Sequence, residues 1–242
     1  MKLLAVIPAR IASTRLPRKA LREILGKPMV QRVYEAARSS GLADVLVATD
    51  SEEIVELGKR LGMWVEMTST ECKSGTDRVR EVAQKIPADV YINVQGDEPL
   101  ARPEHITALV TLMERDQVRV GTLMTPCPTV DVNNPNAVKV VVDRGGKALY
   151  FSRATIPYDR EGGRALRYFK HLGFYAYRKD ELEAFPTLPQ SGLEEAERLE
   201  QLRFLENGIA IHATETPFDT VGVDTEEDLR RVEEILRRQS RA

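Results

Sequence analysis

The apolar positions of the first half fall into short blocks separated by helical patterns. Residues 3–7 are a continuous apolar run, read as a buried strand that Pro8 ends because it has no N–H for a central ladder. Gly26-Lys27-Pro28 introduces a helix reaching about Ser40, with Val30, Val33, Tyr34 and Ala37 at helical spacing and Gly41 as its stop. A strand follows at 45–49, and Ser51 caps a helix whose face is Ile54, Leu57 and Leu61, stopped by Gly62. Strands are expected at 64–67 and 90–94, and helices at 77–86 and 103–113. This alternation predicts βαβ units on a mostly parallel sheet.

The pattern changes after about residue 120. Strands are expected at 118–124, 138–142, 148–152, 172–177 and 209–213, with little room for crossover helices. Asp143-Arg144-Gly145-Gly146 is a hairpin signal. A helix is expected at 193–205 and a terminal one at 225–238, capped by Thr225 and facing inward with Leu229, Val232, Ile235 and Leu236. The chain therefore reads as α/β: a mixed, mostly parallel sheet, helices on both faces, and a β-rich excursion in the second half.

Composition narrows the partners. The 242 residues make one sizeable domain, 42% apolar and 30% charged, as in soluble globular proteins. A net charge of −2 gives no bulk field for nucleic acid or anionic membrane. No apolar stretch approaches the length of a membrane span, and Arg10 cuts short the run that mimics a signal peptide. Cys72 and Cys127 lack any CxxC or His at ligand spacing, which suits a reduced, cytoplasmic protein.

Positive charge is concentrated in the loop after the first strand, at Arg10, Arg15, Arg18 and Lys19, with Ser13 among them. In an open α/β sheet that position faces the ligand crevice, and such a cluster suits a triphosphate. Asp97 follows the strand end Asn93-Val94-Gln95-Gly96, where it either caps a turn or holds Mg²⁺ against phosphate oxygens. Asp224, after Val221-Gly222-Val223, is either a helix cap or a second ligand of the same cation. Ser74-Gly75-Thr76-Asp77-Arg78 offers free N–H groups and a hydroxyl at a helix start, or is simply a capped helix. No Walker loop and no GxGxxG is present.

These blocks, in this order, resemble the 3-deoxy-manno-octulosonate (Kdo) cytidylyltransferase family over nearly the whole chain. The carriers are Ile7-Pro8-Ala9-Arg10, Ser13-Thr14-Arg15-Leu16-Pro17 with Lys19, Gly26-Lys27-Pro28-Met29, Ala48-Thr49-Asp50, Ser74 to Arg78 and Asn93 to Pro99. They continue through Asn134-Pro135-Asn136-Ala137-Val138-Lys139, Leu149 to Pro157, His171-Leu172-Gly173 with Tyr175, Leu199 to Arg203, and Gly222 to Thr225.

The resemblance implies a Rossmann-like nucleotidyltransferase fold in a single domain. Residues 1–120 would be mainly nucleotide-binding, 121–215 mainly sugar-binding and dimerising, and 216–242 would carry a metal ligand and the terminal helix. It implies transfer of CMP from CTP to Kdo, releasing pyrophosphate and activating the sugar for lipopolysaccharide synthesis. Arg10, Arg15 and Lys19 would face the triphosphate with Ser13 near, and Asp97 and Asp224 would carry Mg²⁺. Arg10, Arg15, Lys19 and Asp97 are the catalytic candidates. Pro8, Ala9, Ser74, Gly75 and Arg78 would lie by the nucleotide, and Gln95 between nucleotide and sugar. Arg153, His171, Tyr175, Glu200 and Gln201 would line the Kdo side, and a homodimer would form through the second half.

Read as residues alone, His171 and Tyr175 are two positions on one face of a strand, and Glu200 and Gln201, adjacent on a helix, point apart. The loop between Tyr158 and Phe169 is shorter than in many members. Two other readings stand beside this one: a CMP-sialate synthetase, and a noncatalytic nucleotide-sugar-binding protein.

Overall fold

The computed structural model describes residues 1–13, 15–162 and 166–239. Thr14 of the basic motif and part of the loop between Tyr158 and Phe169 lie outside them. In chain order come β1 (Leu3–Ala9), the short pair β2 (Glu23–Ile24) and β3 (Lys27–Pro28), α1 (Met29–Arg38), β4 (Val45–Thr49), α2 (Glu52–Leu61), β5 (Val65–Met67), α3 (Gly75–Lys85), β6 (Val90–Asn93) and α4 (Pro103–Met113). There follow β7 (Val120–Pro126), β8 (Lys139–Val142), β9 (Ala148–Ser152), β10 (Phe169–Arg178), α5 (Lys179–Ala184), α6 (Gly192–Glu197), α7 (Gln201–Glu206), β11 (Ile211–Glu215) and α8 (Glu226–Gln239). The chain divides into two compact units, Met1–Thr107 with Thr220–Ala242, and Ala108–Asp219.

In the first unit β1 pairs in parallel with β6 on one side and β4 on the other, and β5 extends β4. Leu4, Ala5, Val6 and Ile7 have no exposed surface, as expected of a central parallel strand covered on both faces. Pro8 does not end β1: it stays in register with Ala48 of β4. Ala5 donates toward Asp44 on the β4 side, and the Val6 carbonyl accepts from Val94 on the β6 side. By alternation the Pro8 nitrogen faces the β6 side, one step past the last pair, Val6 with Asn93, so no ladder bond is lost. Gly96 packs directly beneath, where a Cβ would stand 2.4 Å from the Pro8 carbonyl oxygen.

Helix ends follow the sequence with one qualification. Gly62 takes the left-handed conformation at the end of α2, as its place after Leu61 requires. Ser51 occupies the N-cap of α2 but makes no capping bond, and Glu52 and Glu53 supply the favourable charge to the first turn. Thr225 does cap α8. Its hydroxyl accepts from Asp228 N–H at 3.2 Å, and the Asp228 carboxylate accepts from Thr225 N–H at 2.9 Å.

In the second unit the order is β11, β7, β10, β8, β9, with β11 parallel to β7 and the other pairs antiparallel. The Asp143 to Gly146 turn closes the β8–β9 hairpin as its residues predict. The helix expected at 193–205 is broken into α6 and α7, because Arg198 is left-handed with φ 55°. Arg203 holds the two pieces together through both oxygens of Glu194, at 2.7 and 2.6 Å.

Candidate functional site

The loop after β1 is pinned to the first unit's core by Leu16. That side chain is fully buried with Ile24, Met29, Leu100, Val223, Leu229 and Val232. The same cluster fixes the segment leading into α8, and Val223 N–H donates to the Asp97 carbonyl at 2.9 Å. Three stretches far apart in sequence thereby meet beyond the carboxyl ends of the parallel strands.

At their meeting point Lys19 Nζ lies 2.6 Å from Asp97 Oδ2 and 3.1 Å from Asp224 Oδ1. Arg15 Nη2 sits 2.9 Å from the other oxygen of Asp224. Asp224 does not cap α8, which is capped by Thr225 and Asp228, and the Asp97 carboxylate takes the Lys19 ammonium. The Lys19 side chain is only 17% exposed. Burial works to push its ammonium down, but Asp97 and then Asp224 outweigh it, so its pKa lies above the ordinary lysine value.

Among the described residues no three His, Cys, Asp or Glu side chains gather as a metal-ligating group. Asp97 and Asp224, already arranged round one positive charge, are the two carboxylates here that could hold a cation. Two carboxylates suit Mg²⁺, which keeps much of its shell for water and substrate phosphate.

Pro8, Gly75 and Gln95 converge beside this centre. A Cβ on Gly75 would stand 3.3 Å from Gln95 Oε1 and 3.6 Å from Pro8 Cγ, so a side chain here would push the Gln95 amide by a few tenths of an ångström. Ala9, buried, ends β1 against Gly96. Ser74 caps α3 in a reciprocal box with Asp77, its hydroxyl accepting from Asp77 N–H at 3.1 Å. An accepting hydroxyl still has a proton to donate. Arg10 is exposed and Ser13 half-buried at the loop's start. Arg78 is 3% exposed, and its guanidinium is engaged by Asp50 at 2.9 Å and by the Thr68 hydroxyl. Arg18 pairs with Glu53 at the surface, away from Asp97 and Asp224.

The second unit gathers the other candidates. Residues i and i+4 of a regular strand stand about 13 Å apart. A register shift between Leu172 and Tyr175 places His171 opposite Met124 and Tyr175 opposite Thr122, and brings the two rings to 5.4 Å. Thr122, which the sequence did not single out, lies 3.0 Å from His171 Nε2 and donates to the Phe174 carbonyl at 2.8 Å. Gln201 is buried and its side-chain nitrogen has no partner, whereas Glu200 is exposed. Their opposite settings agree with the adjacent-residue expectation.

Arg153 is held by main chain, through the carbonyls of Glu197 at 2.7 Å, Pro135 at 3.0 Å and Arg198 at 3.4 Å. Buried Lys139 supports the same corner, donating to the carbonyls of Asn134, Ala137 and Arg153 at 2.7, 2.6 and 2.9 Å.

Burial pushes the His171 imidazole down to about 3, so it is neutral at ordinary pH, and burial followed by Tyr177 and Glu200 raises the Tyr175 phenol. Because the folded value lies below the ordinary 6.5, His171 supports folding fully above pH 6.5 and progressively less as pH falls toward 3. Wild-type stability should therefore fall relative to His171→Gln by up to about 1.4 kcal/mol per pH unit in that window. Urea unfolding of both proteins between pH 6.5 and 4 checks this; parallel curves would contradict it.

A parallel α/β sheet with a cation loop after its first strand, facing one carboxylate beyond a later strand and another just before the terminal helix, defines a nucleotidyltransferase. A family model described as Cytidylyltransferase matches residues 4–211. The 3-deoxy-manno-octulosonate cytidylyltransferase of Koribacter versatilis is 64% identical over 98% of this chain and 91% of its own length. That of Acidobacterium capsulatum is 60% identical over 98% and 97%. The solved structure of CMP:2-keto-3-deoxy-manno-octonic acid synthetase complexed with CTP matches with a TM-score of 0.93 at 44% identity, covering 99% of this chain and 100% of the other. The chain belongs to the 3-deoxy-manno-octulosonate cytidylyltransferase family.

Proposed function

We propose that this protein transfers CMP from CTP to the anomeric hydroxyl of Kdo, releasing pyrophosphate and activating the sugar for lipopolysaccharide synthesis. The observation that carries the reading is the Lys19–Asp97–Asp224 cluster beside Arg15, in a chain 64% identical to a named Kdo cytidylyltransferase. The sugar hydroxyl attacks the α-phosphorus in line as the bond to pyrophosphate breaks. The protein contributes position and charge rather than covalent chemistry.

Arg10, Arg15 and Lys19 stabilise the negative charge gathering on the leaving pyrophosphate, with Ser13 nearby. Pro8, Ala9, Ser74, Gly75 and Gln95 form the nucleotide's seat. Asp97 and Asp224 would hold Mg²⁺, which when bound neutralises phosphate charge and lowers the pKa of a nearby hydroxyl. His171, Tyr175, Glu200 and Gln201 recognise Kdo. Support comes from the unpartnered, buried Gln201 nitrogen and from a neutral imidazole whose Nε2 is engaged by the Thr122 hydroxyl, leaving Nδ1 as the ring nitrogen for a polyhydroxylated ligand. Arg153 shapes this corner through the carbonyls it binds.

A homodimer formed through the second unit is part of the reading, supported by exposed Val130, Leu149 and Tyr158. So is a cytoplasmic location, where free Cys72 and Cys127 stay reduced. Among the described residues no helix is long and apolar enough to cross a membrane. Parallel pyrophosphate-release assays with CTP and either Kdo or N-acetylneuraminate test the assignment of sugar. Turnover with Kdo is expected to dominate, and preference for the sialic acid would overturn the choice.

A further inference from the structure

Asp50 and Arg78 form an ion pair close to the cation loop. Asp50 follows β4 directly, its side chain is 11% exposed, and Arg78 on the first turns of α3 is 3% exposed. Both carboxylate oxygens are used: Oδ2 accepts from Arg78 Nη2 at 2.9 Å, and Oδ1 accepts from the Ile11 main-chain N–H at 3.2 Å. Arg78 is tied in turn to the Thr68 hydroxyl and to the Ser69 carbonyl at 3.5 Å. One mostly buried carboxylate thus links the end of β4, the start of α3 and the main chain immediately after Arg10.

We propose that Asp50 and Arg78 are positioning residues for the triphosphate clamp, acting on Arg10 through the Ile11 N–H. The proposal rests on the reading of Arg10 as a phosphate ligand. Arg10 itself is exposed, and an exposed arginine on a mobile stem loses rotamer freedom when it binds. Fixing the next peptide removes backbone freedom before the ligand arrives, so less ordering remains at binding. A lone Asp50 would be poorly suited, since a buried carboxylate without a partner charge is costly to keep ionised. Arg78 supplies that charge from a rigid helix and fixes the plane in which the second oxygen faces Ile11. Arg78 therefore serves the nucleotide indirectly, consistent with a guanidinium that is nearly inaccessible.

A double-mutant cycle separates this role from a general structural one. CTP binding, with magnesium present, is measured by calorimetry for wild type, Asp50→Ala, Arg10→Ala and the double variant, with melting curves for each. Asp50→Ala is expected to weaken CTP about tenfold in the wild-type background and less than twofold when Arg10 is already alanine. An equal loss in both backgrounds would overturn the proposal, because the effect would not pass through Arg10. If Asp50→Ala does not fold, Asp50→Asn, which keeps one oxygen acceptor, goes through the same cycle with the same two readings. Unchanged CTP affinity in Arg10→Ala alone would instead overturn the assignment of Arg10 to the phosphates.

Discussion

Asp97→Asn is expected to lose about a hundred- to a thousand-fold in turnover while CTP still binds. The substitution keeps the shape of the side chain and removes its charge. Asp97 faces Lys19 at 2.6 Å and is part of the carboxylate pair proposed for Mg²⁺. An amide replaces an anionic ligand by a neutral one, which weakens a hard cation's hold. Loss of one preorganised electrostatic contact typically costs roughly 3–4 kcal/mol in the transition state, the factor given above. The contacts proposed for the nucleotide around Ser74, Gly75 and Gln95 are separate from this carboxylate, so affinity for CTP should change far less than kcat. Pyrophosphate-release kinetics beside calorimetric CTP binding check the split. Near-normal turnover would remove Asp97 from the metal assignment.

Lys19→Met should be comparably damaging for a different reason. Methionine is a similarly long, flexible side chain without the charge, and leaves Asp97 and Asp224 facing each other without the ammonium that now bridges them. Two effects then combine. Pyrophosphate loses a cation in the transition state, a loss of about a hundredfold or more in rate. The folded protein also loses an ion pair whose lysine is mostly buried while Asp97 and Asp224 are 36% and 47% exposed. A fully buried pair broken on one side costs about 3–5 kcal/mol, and solvent screening here reduces that to about 1–2 kcal/mol. Lys19→Arg is not expected to restore the rate, because a planar fork cannot sit as a point charge between two carboxylates. Steady-state kinetics with thermal melts test both parts. A methionine variant with wild-type kcat would show that Lys19 is structural only.

The parallel half of the fold was legible because its central strands β1, β4 and β6 are buried on both faces and its helices carry an apolar stripe. The apolar run from Leu3 to Ile7 and the blocks Ile54-Leu57 and Leu229-Val232 needed no tertiary information. Pro8 was misplaced because its effect depends on which neighbour its nitrogen faces, and that is a property of register. The break at Arg198 was hidden for a similar reason. Residues 193–205 keep helical spacing through it, and the left-handed residue is not glycine.

Asp97 and Asp224 could be picked out as carboxylates after Gly-containing apolar segments, although the segment before Asp224 forms no strand. Choosing between cap and ligand required Asp228, which takes over the capping of α8, and Lys19, which arrives from 205 positions away in the chain. Nothing in the spacing of His171 and Tyr175 announced that a register shift would bring their rings together and set Thr122 opposite Tyr175 and beside His171. The resemblance placed Arg78 by the nucleotide and Arg153 on the Kdo side. Their buried acceptors, Asp50 and a set of main-chain carbonyls, appear only in three dimensions.

Magnesium-dependent pyrophosphate release from CTP and Kdo is the most direct measurement. The purified protein should release pyrophosphate and form CMP-Kdo only when CTP, Kdo and Mg²⁺ are all present, with the rate falling to background in EDTA and returning when Mg²⁺ is restored. CTP binding with no pyrophosphate release under any of these conditions would mean a nucleotide-binding protein rather than an enzyme, and undiminished release in EDTA would contradict the metal role of Asp97 and Asp224.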